Sequence, residues 1–198
     1  MNEAGLFVAI SSLPALEATK PGLQWNILVD AIASTCRSVS DAVSLLRGVN
    51  HLRAITYLLA DQNTAAAVEA SPEGVRVRAA VDGIVIATNH ATGATDESDR
   101  TCHSIARYDR AHDRLRSCSP LIDESDVVDI LRDPVCAIRD GKRFLHELDH
   151  VPLAAVENWG TIWSTICRPS QREIRIAEGH PEDASDVTID WNACSETT

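Results

Sequence analysis

A chain of 198 residues with 44% hydrophobic side chains is long enough to bury a sizeable core and suits one compact domain. With 29 acidic residues against 18 basic ones its net charge is -11, which disfavours nucleic acid as a partner because phosphates need a basic surface. No stretch approaches the roughly 20 apolar residues that cross a bilayer, and the first residues lack a basic region followed by an apolar one. A cytoplasmic protein without a membrane partner is the expectation.

Leu6 to Ile10 reads as a short strand, and a turn-rich loop from Pro14 to Gly22 follows it. Leu23 to Arg37 carries Ile27, Leu28, Ala31 and Ile32 at helical spacing, and Ser40-Asp41 is expected to cap a second helix through Leu46. Ala54 to Ala60, Thr64 to Ala70, Val75 to Val81 and Ile84 to Thr88 then read as strands. Short spacers separate them, Asp82-Gly83 being the strongest turn signal, and an antiparallel meander is predicted. Asp99 to Arg116 and Asp123 to Arg132 have amphipathic helical patterns. Thr161 to Cys167 and Glu173 to Ala177 form a last hairpin across Pro169-Ser170. Residues 1–180 are taken as the domain and 181–198 as a frayed acidic tail. The order of helices and strands fits an α+β fold with helices packed on antiparallel sheets.

Only Lys20 and Lys142 are lysines, and so acidic a composition resembles that of proteins from salt-loving cells, an ordinary acidic mesophile protein being the plainer alternative; on the first reading stability is expected to rise with molar salt. Cys36, Cys102, Cys118, Cys136, Cys167 and Cys194 include no C-x-x-C pair, so neither a zinc knuckle nor a redox dithiol is suggested, and in a chain of this size without the pattern of a signal peptide a disulfide framework is not expected either.

Five short motifs occur in a fixed order: Asn2-Glu3-Ala4-Gly5-Leu6, Val68-Glu69-Ala70-Ser71-Pro72, Thr88-Asn89-His90, Ser104-Ile105-Ala106-Arg107 and Thr161-Ile162-Trp163-Ser164. In that order and at those separations the chain resembles the acyl-coenzyme A:6-aminopenicillanic-acid acyltransferase family, autoproteolytic cysteine enzymes of the N-terminal-nucleophile (Ntn) hydrolase superfamily. The resemblance spans roughly residues 2 to 180, and the joint order of the motifs supplies its specificity. It implies an αββα sandwich of antiparallel sheets. It also implies a cysteine nucleophile well upstream of the Asn-x-x-Gly motif, where this sequence has only Met1, so the sandwich is expected to be incomplete on its N-terminal side.

Attack on an amide or thioester places negative charge on the carbonyl oxygen, and a preorganised carboxamide N–H can stabilise it. Asn89, just past a predicted strand, suits that task; a turn asparagine is the plainer reading of the residue alone, and the resemblance, which makes it the oxyanion-hole residue, reverses the preference. Arg107 on a predicted helix could orient a carboxylate or neutralise developing charge, and in related Ntn amidases an arginine in a similar Ser-x-x-Arg stretch lines the active site; a solvated helix-face arginine beside Asp109 and Arg110 weighs equally. Ser71 matches a serine near the reaction centre in the acyltransferases, although Ser-Pro is also a plain turn. His90 and Trp163 are the candidate substrate contacts. The resembled family carries a Ser-Arg pair shortly before its last strand; here Glu157 and Asn158 stand there, and the substrate's identity does not carry over.

His146-Glu147-Leu148-Asp149-His150 is a literal H-E-x-x-H, in which His146 and His150 would bind zinc, Glu147 would activate water and Glu157 could serve as third ligand. Pro152 restricts Val151 and breaks the required helix directly after His150, so a solvated acidic turn is the preferred reading and no metal is expected.

The sequence therefore reads as the large C-terminal part of a cysteine Ntn amidohydrolase or acyltransferase. It would act on a small amide or acyl thioester without a cofactor, with acyl-coenzyme A as a substrate the resemblance allows. The nucleophile's absence has two explanations, a mis-assigned start codon, which is preferred, or a truncated relic; either leaves an unpaired sheet edge and an expectation of poor solubility. A catalytically dead Ntn-fold binding or structural domain is the alternative, the zinc peptidase a second. Partners are the small-molecule substrate and the missing N-terminal segment, with a homo-oligomer left open.

Overall fold

The computed structural model describes residues 1–14, 21–92, 102–118, 121–137 and 161–190. The described residues carry strands β1 (Phe7–Ser12), β2 (Ile55–Ala60), β3 (Ala65–Ser71), β4 (Gly74–Ala79), β5 (Trp163–Arg168), β6 (Glu173–Glu178) and β7 (Ser185–Asp190). Their helices are α1 (Trp25–Thr35), α2 (Val39–Arg47), α3 (Cys102–Ser117) and α4 (Glu124–Arg132). This is the expected α+β composition, with one sheet in the order β1-β2-β3-β4 and a second in the order β5-β6-β7. The chain divides into two compact units. Residues 1–101, 167–173 and 190–198 form the first, and 102–166 with 174–189 the second.

In the first unit β1 to β4 pair antiparallel, with Ser12 opposite Ile55, Ile55 opposite Ala70 and Ala70 opposite Val75. Side chains alternate across a strand, so Ile55, Tyr57 and Leu59 share a face with Ala66, Val68 and Ala70. That face joins Leu28 and Ile32 of α1 and Ala42 and Leu46 of α2 in one core cluster. Ile32, Leu46 and Leu59 are completely buried, and each contributes about 2 kcal/mol by leaving water. The opposite face carries Thr56, Ala67 and Glu69, which are also buried.

Local interactions set the element boundaries. Helix α1 starts two residues later than the periodicity suggests because the Leu23 backbone is engaged elsewhere: its N–H donates to Asn50 O at 2.8 Å, and its carbonyl accepts from Leu52 N at 3.0 Å. Gly22 permits this close approach, since a Cβ there would lie 2.5 Å from the His51 carbonyl carbon. Helix α2 is capped by Ser38, not by Ser40-Asp41: the Ser38 hydroxyl accepts from Asp41 N at 3.1 Å, and Asp61 Oδ2 accepts from Val39 N at 2.8 Å. The Asn-x-x-Gly motif is a turn in which Gly5, at φ +80°, donates to Asn2 O, a backbone conformation that glycine adopts without a Cβ clash.

Ile84 to Thr88, expected as a strand, forms only an isolated bridge between Val81 and Ile84 around Asp82-Gly83. The Ile86 carbonyl accepts instead from Arg78 Nη2 at 2.9 Å, so a side chain takes the place of a ladder partner.

In the second unit α3 and α4 pack together, and α4 lies against β5 and β6, where Val128 and Leu131 share a small cavity with Ile166 and Ala177. Arg175 pairs with Glu124 at the start of α4. Asp123 and Asp126 form a reciprocal capping box there. The stretch expected as a frayed tail contains β7 at 185–190. Val187 and Ile189 alternate with Asp186, Thr188 and Asp190, a period-two pattern that the acidic composition of the stretch hid, and the strand pairs with β6.

Candidate functional site

Asn89 lies in the irregular segment after β4, and its carboxamide is directed by tertiary contact. Asn89 Nδ2 donates to the Ser12 carbonyl, the last residue of β1, at 3.0 Å. The candidate oxyanion donor is thereby fixed at one end of the four-stranded sheet. The neighbouring Thr88 hydroxyl meets His90 Nδ1 at 3.1 Å, and both side chains are buried. His90 therefore packs beneath its own loop.

Ser71 ends β3 at the same end of the sheet. Ser12, Ile55 and Ala70 are in register, so Ser71 stands two strands across from Ser12, about 10 Å at ordinary strand spacing. Its hydroxyl accepts from Glu73 N at 3.2 Å and lies 3.5 Å from Gly74 O, the geometry of a Ser turn at the β3–β4 hairpin.

Glu69 organises this end of the unit, although sequence reasoning gave it no role. One of its oxygens, Oε1, accepts from Arg78 Nε at 2.9 Å, from Thr92 N at 3.0 Å and from the Thr92 hydroxyl at 2.6 Å. Arg76 lies 3.9 Å from the other oxygen and also donates to the Thr92 carbonyl. The signal was visible, since a carboxylate inside the run Ala65-Ala66-Ala67-Val68-Glu69-Ala70 is retained in a buried strand only when it is paired.

In the second unit Ser104 of the Ser-x-x-Arg stretch is completely buried on α3. Burial holds the Arg107 guanidinium below its ordinary pKa, with the Cys136 side chain acting the other way. The Cys136 thiol lies 4.0 Å from the Arg107 carbonyl, and burial together with Asp133 pushes it up. Asp133 is buried between Arg110 Nε at 2.8 Å and Arg114 Nη2 at 2.7 Å, a paired cluster that ties α3 to the end of α4. Trp163, the first residue of β5, is 59% exposed. The structure thus gathers Asn89, His90 and Ser71 in the first unit and carries Arg107 and Trp163 in the second.

Among the described residues no cluster of His, Cys, Asp or Glu is arranged to hold a metal ion. His146, Glu147, His150 and Glu157 lie outside the described residues. No helix among the described residues is long and apolar enough to cross a membrane.

No curated protein matches the chain. Among solved structures it is similar to a cysteine-to-alanine mutant of conjugated bile acid hydrolase from Clostridium perfringens, at 15% identity and a TM-score of 0.66. The match covers 98% of this chain and 72% of that one. An arginine-to-leucine variant of the same hydrolase matches with the same identity, coverage and TM-score. At that identity the likeness establishes a shared fold and not the activity. The model of the acyl-coenzyme A:6-aminopenicillanic acid acyl-transferase family matches residues 1–183, nearly the whole sequence. With the motifs, the antiparallel sheets and this match in agreement, the chain belongs to the acyl-coenzyme A:6-aminopenicillanic acid acyl-transferase family.

Proposed function

We propose that this chain is the part of a cysteine Ntn amidohydrolase or acyltransferase that binds the scissile carbonyl of a small amide or acyl thioester, the nucleophilic cysteine being supplied by sequence outside it. The observation that carries the reading is Asn89, whose carboxamide is fixed by the Ser12 carbonyl at the end of a sheet. A carboxamide already held in one direction does not have to reorganise during the reaction, which is what a preorganised oxyanion donor requires. Ser71 at the same sheet end and Arg107 on α3 are the further candidate catalytic groups. Trp163, with its indole exposed, is a candidate substrate contact, and His90 would shape the substrate wall from beneath Asn89.

In the proposed mechanism the upstream cysteine attacks the carbonyl carbon, its proton passes to its own α-amino group, and the Asn89 amide receives the developing oxyanion. The acyl-enzyme is then resolved by water or by an amine, which decides between hydrolase and transferase. The test joins this chain to the upstream, in-frame segment that carries a cysteine and measures turnover of amide and acyl-thioester substrates. Asn89→Ala is expected to lower kcat by about 10²–10³ while the protein stays folded, with only the modest loss of stability that deleting its bond to Ser12 entails. An unchanged kcat would remove Asn89 from the mechanism. A stop codon directly upstream would favour the second reading, an Ntn-fold binding domain without chemistry.

A further inference from the structure

We infer that Glu69 is a positioning residue that sets the direction of the Asn89 carboxamide by clamping both ends of the segment from Ile86 to Thr92. The inference rests on the proposed role of Asn89. Among the described residues the segment joins no strand ladder, and the backbone bridge before it pairs Val81 with Ile84. Its first end is held where Arg78 Nη2 donates to Ile86 O at 2.9 Å, while Arg78 Nε donates to Glu69 Oε1 at 2.9 Å. At its other end the Thr92 amide and hydroxyl donate to that same oxygen at 3.0 and 2.6 Å, and Arg76 donates to the Thr92 carbonyl.

One buried carboxylate oxygen is thus the common partner of the two ends. Asn89 sits between them, and its carboxamide reaches the Ser12 carbonyl on the far edge strand. Without the clamp the two ends separate, and the bond to Ser12 no longer fixes an angle. Charge-assisted bonds inside a protein are the strong ones, so three donors on one ionised oxygen hold both ends of a segment that joins no ladder.

Hydrogen exchange of the amides from Ile84 to Thr92 tests the clamp on this chain directly. Glu69→Gln keeps the shape and one acceptor but loses the charge, and Thr92→Val removes only the 2.6 Å hydroxyl bond, which makes it the variant least prone to misfold. In either variant exchange is expected to quicken by roughly tenfold or more between Ile84 and Thr92, with α1, α2 and β2 unchanged. Exchange that stays the same there, or quickens equally throughout the unit, overturns the clamp.

In the enzyme joined to its cysteine-bearing segment, a double-mutant cycle separates the two ideas. If Glu69 acts through Asn89, Glu69→Gln lowers kcat with KM nearly unchanged, and it has no further effect in an Asn89→Ala background. Fully additive effects overturn the positioning role while leaving Asn89 as the oxyanion donor. An Asn89→Ala variant of normal kcat removes the reading beneath it instead.

Discussion

Asn2 Nδ2 donates to the Cys36 carbonyl at 2.7 Å and to the Ala33 carbonyl at 3.1 Å, while its Oδ1 accepts from Ala4 N and Leu6 N. One side chain therefore closes the turn before β1 and satisfies two orphan carbonyls at the end of α1. No histidine, lysine or arginine stands in the last turn of that helix to do so. The Asn-x-x-Gly motif is in this way a structural clasp. Asn2→Ala is expected to destabilise the protein by about 1–3 kcal/mol, since several acceptors and donors lose one partner together. A urea titration in which the midpoint stays at the wild-type value would show the clasp to be idle.

Thr56, in the middle of the sheet, sets up the opposite case. It is 2% exposed, and its hydroxyl has no hydrogen-bond partner among the described residues. A buried hydroxyl without a partner keeps its desolvation cost and gains nothing in return. Thr56→Val, which keeps the β-branched shape favoured in strands, is expected to stabilise the fold by roughly 1 kcal/mol. A drop in melting temperature would mean that the hydroxyl is satisfied in solution.

Asp61 gives stability a defined dependence on acid. Burial opposes its ionisation, but the N–H groups of Val39, Asn63 and Thr64 at 2.8, 2.8 and 3.0 Å outweigh it and hold the carboxyl below its ordinary value of 3.8. The folded pKa is depressed, so the contribution is fully present above the unfolded value near 4 and is lost as pH falls through the folded one. Asp133 acts in the same direction: burial opposes ionisation, and Val135 N with Arg110 and Arg114 prevails. Wild-type stability is therefore expected to hold from pH 7 to about 5 and to fall below about 4. The deficit of Asp61→Asn should be largest at neutral pH and shrink in acid; a deficit of constant size from pH 7 to 2 would exclude the carboxylate's charge as its cause.

How far the sequence carried this reading depends on where each interaction begins and ends. The apolar periods of α1 and of β2, β3 and β4 are local, and Asp82-Gly83 announces its own turn, so those elements were legible to within a few residues. Ile84 to Thr88 misled because its apolar residues satisfy a strand pattern while Arg78 and Glu69 hold the backbone out of the sheet, a tertiary effect with no local signature. The cap at Ser38 was displaced for a similar reason, as half of it comes from Asp61, distant in sequence. The motif singles Asn89 out as a candidate, but its contact with Ser12, 77 residues away, has no local signal. Glu69 acts across the strand register, and register is not written in any single segment.

Metal removal separates the proposed chemistry from the one suggested by His146-Glu147-x-x-His150. In the cysteine mechanism the chain's groups polarise the carbonyl by hydrogen bonding, so prolonged treatment with EDTA is expected to leave amide or thioester turnover unchanged. Stoichiometric zinc in the purified protein, with activity lost on chelation and restored by zinc, would replace that mechanism with a metal-bound water.

Salt supplies the last prediction, and the ion pairs indicate its sign. At a net charge of -11 the exposed carboxylates repel one another, and molar KCl shortens the screening length to about 3 Å, which relieves that repulsion. Salt would also weaken attractive pairs, but the Asp133 and Glu69 carboxylates are buried, at 0% and 7% exposure, where screening penetrates least. The repulsive part of the electrostatics is therefore screened more than the attractive part. The melting temperature is expected to rise between 0.1 and 2 M KCl, and Asp133→Asn should lower it by a similar amount at both concentrations. A melting temperature that stays flat or falls with salt would show that self-repulsion does not limit the stability of this chain.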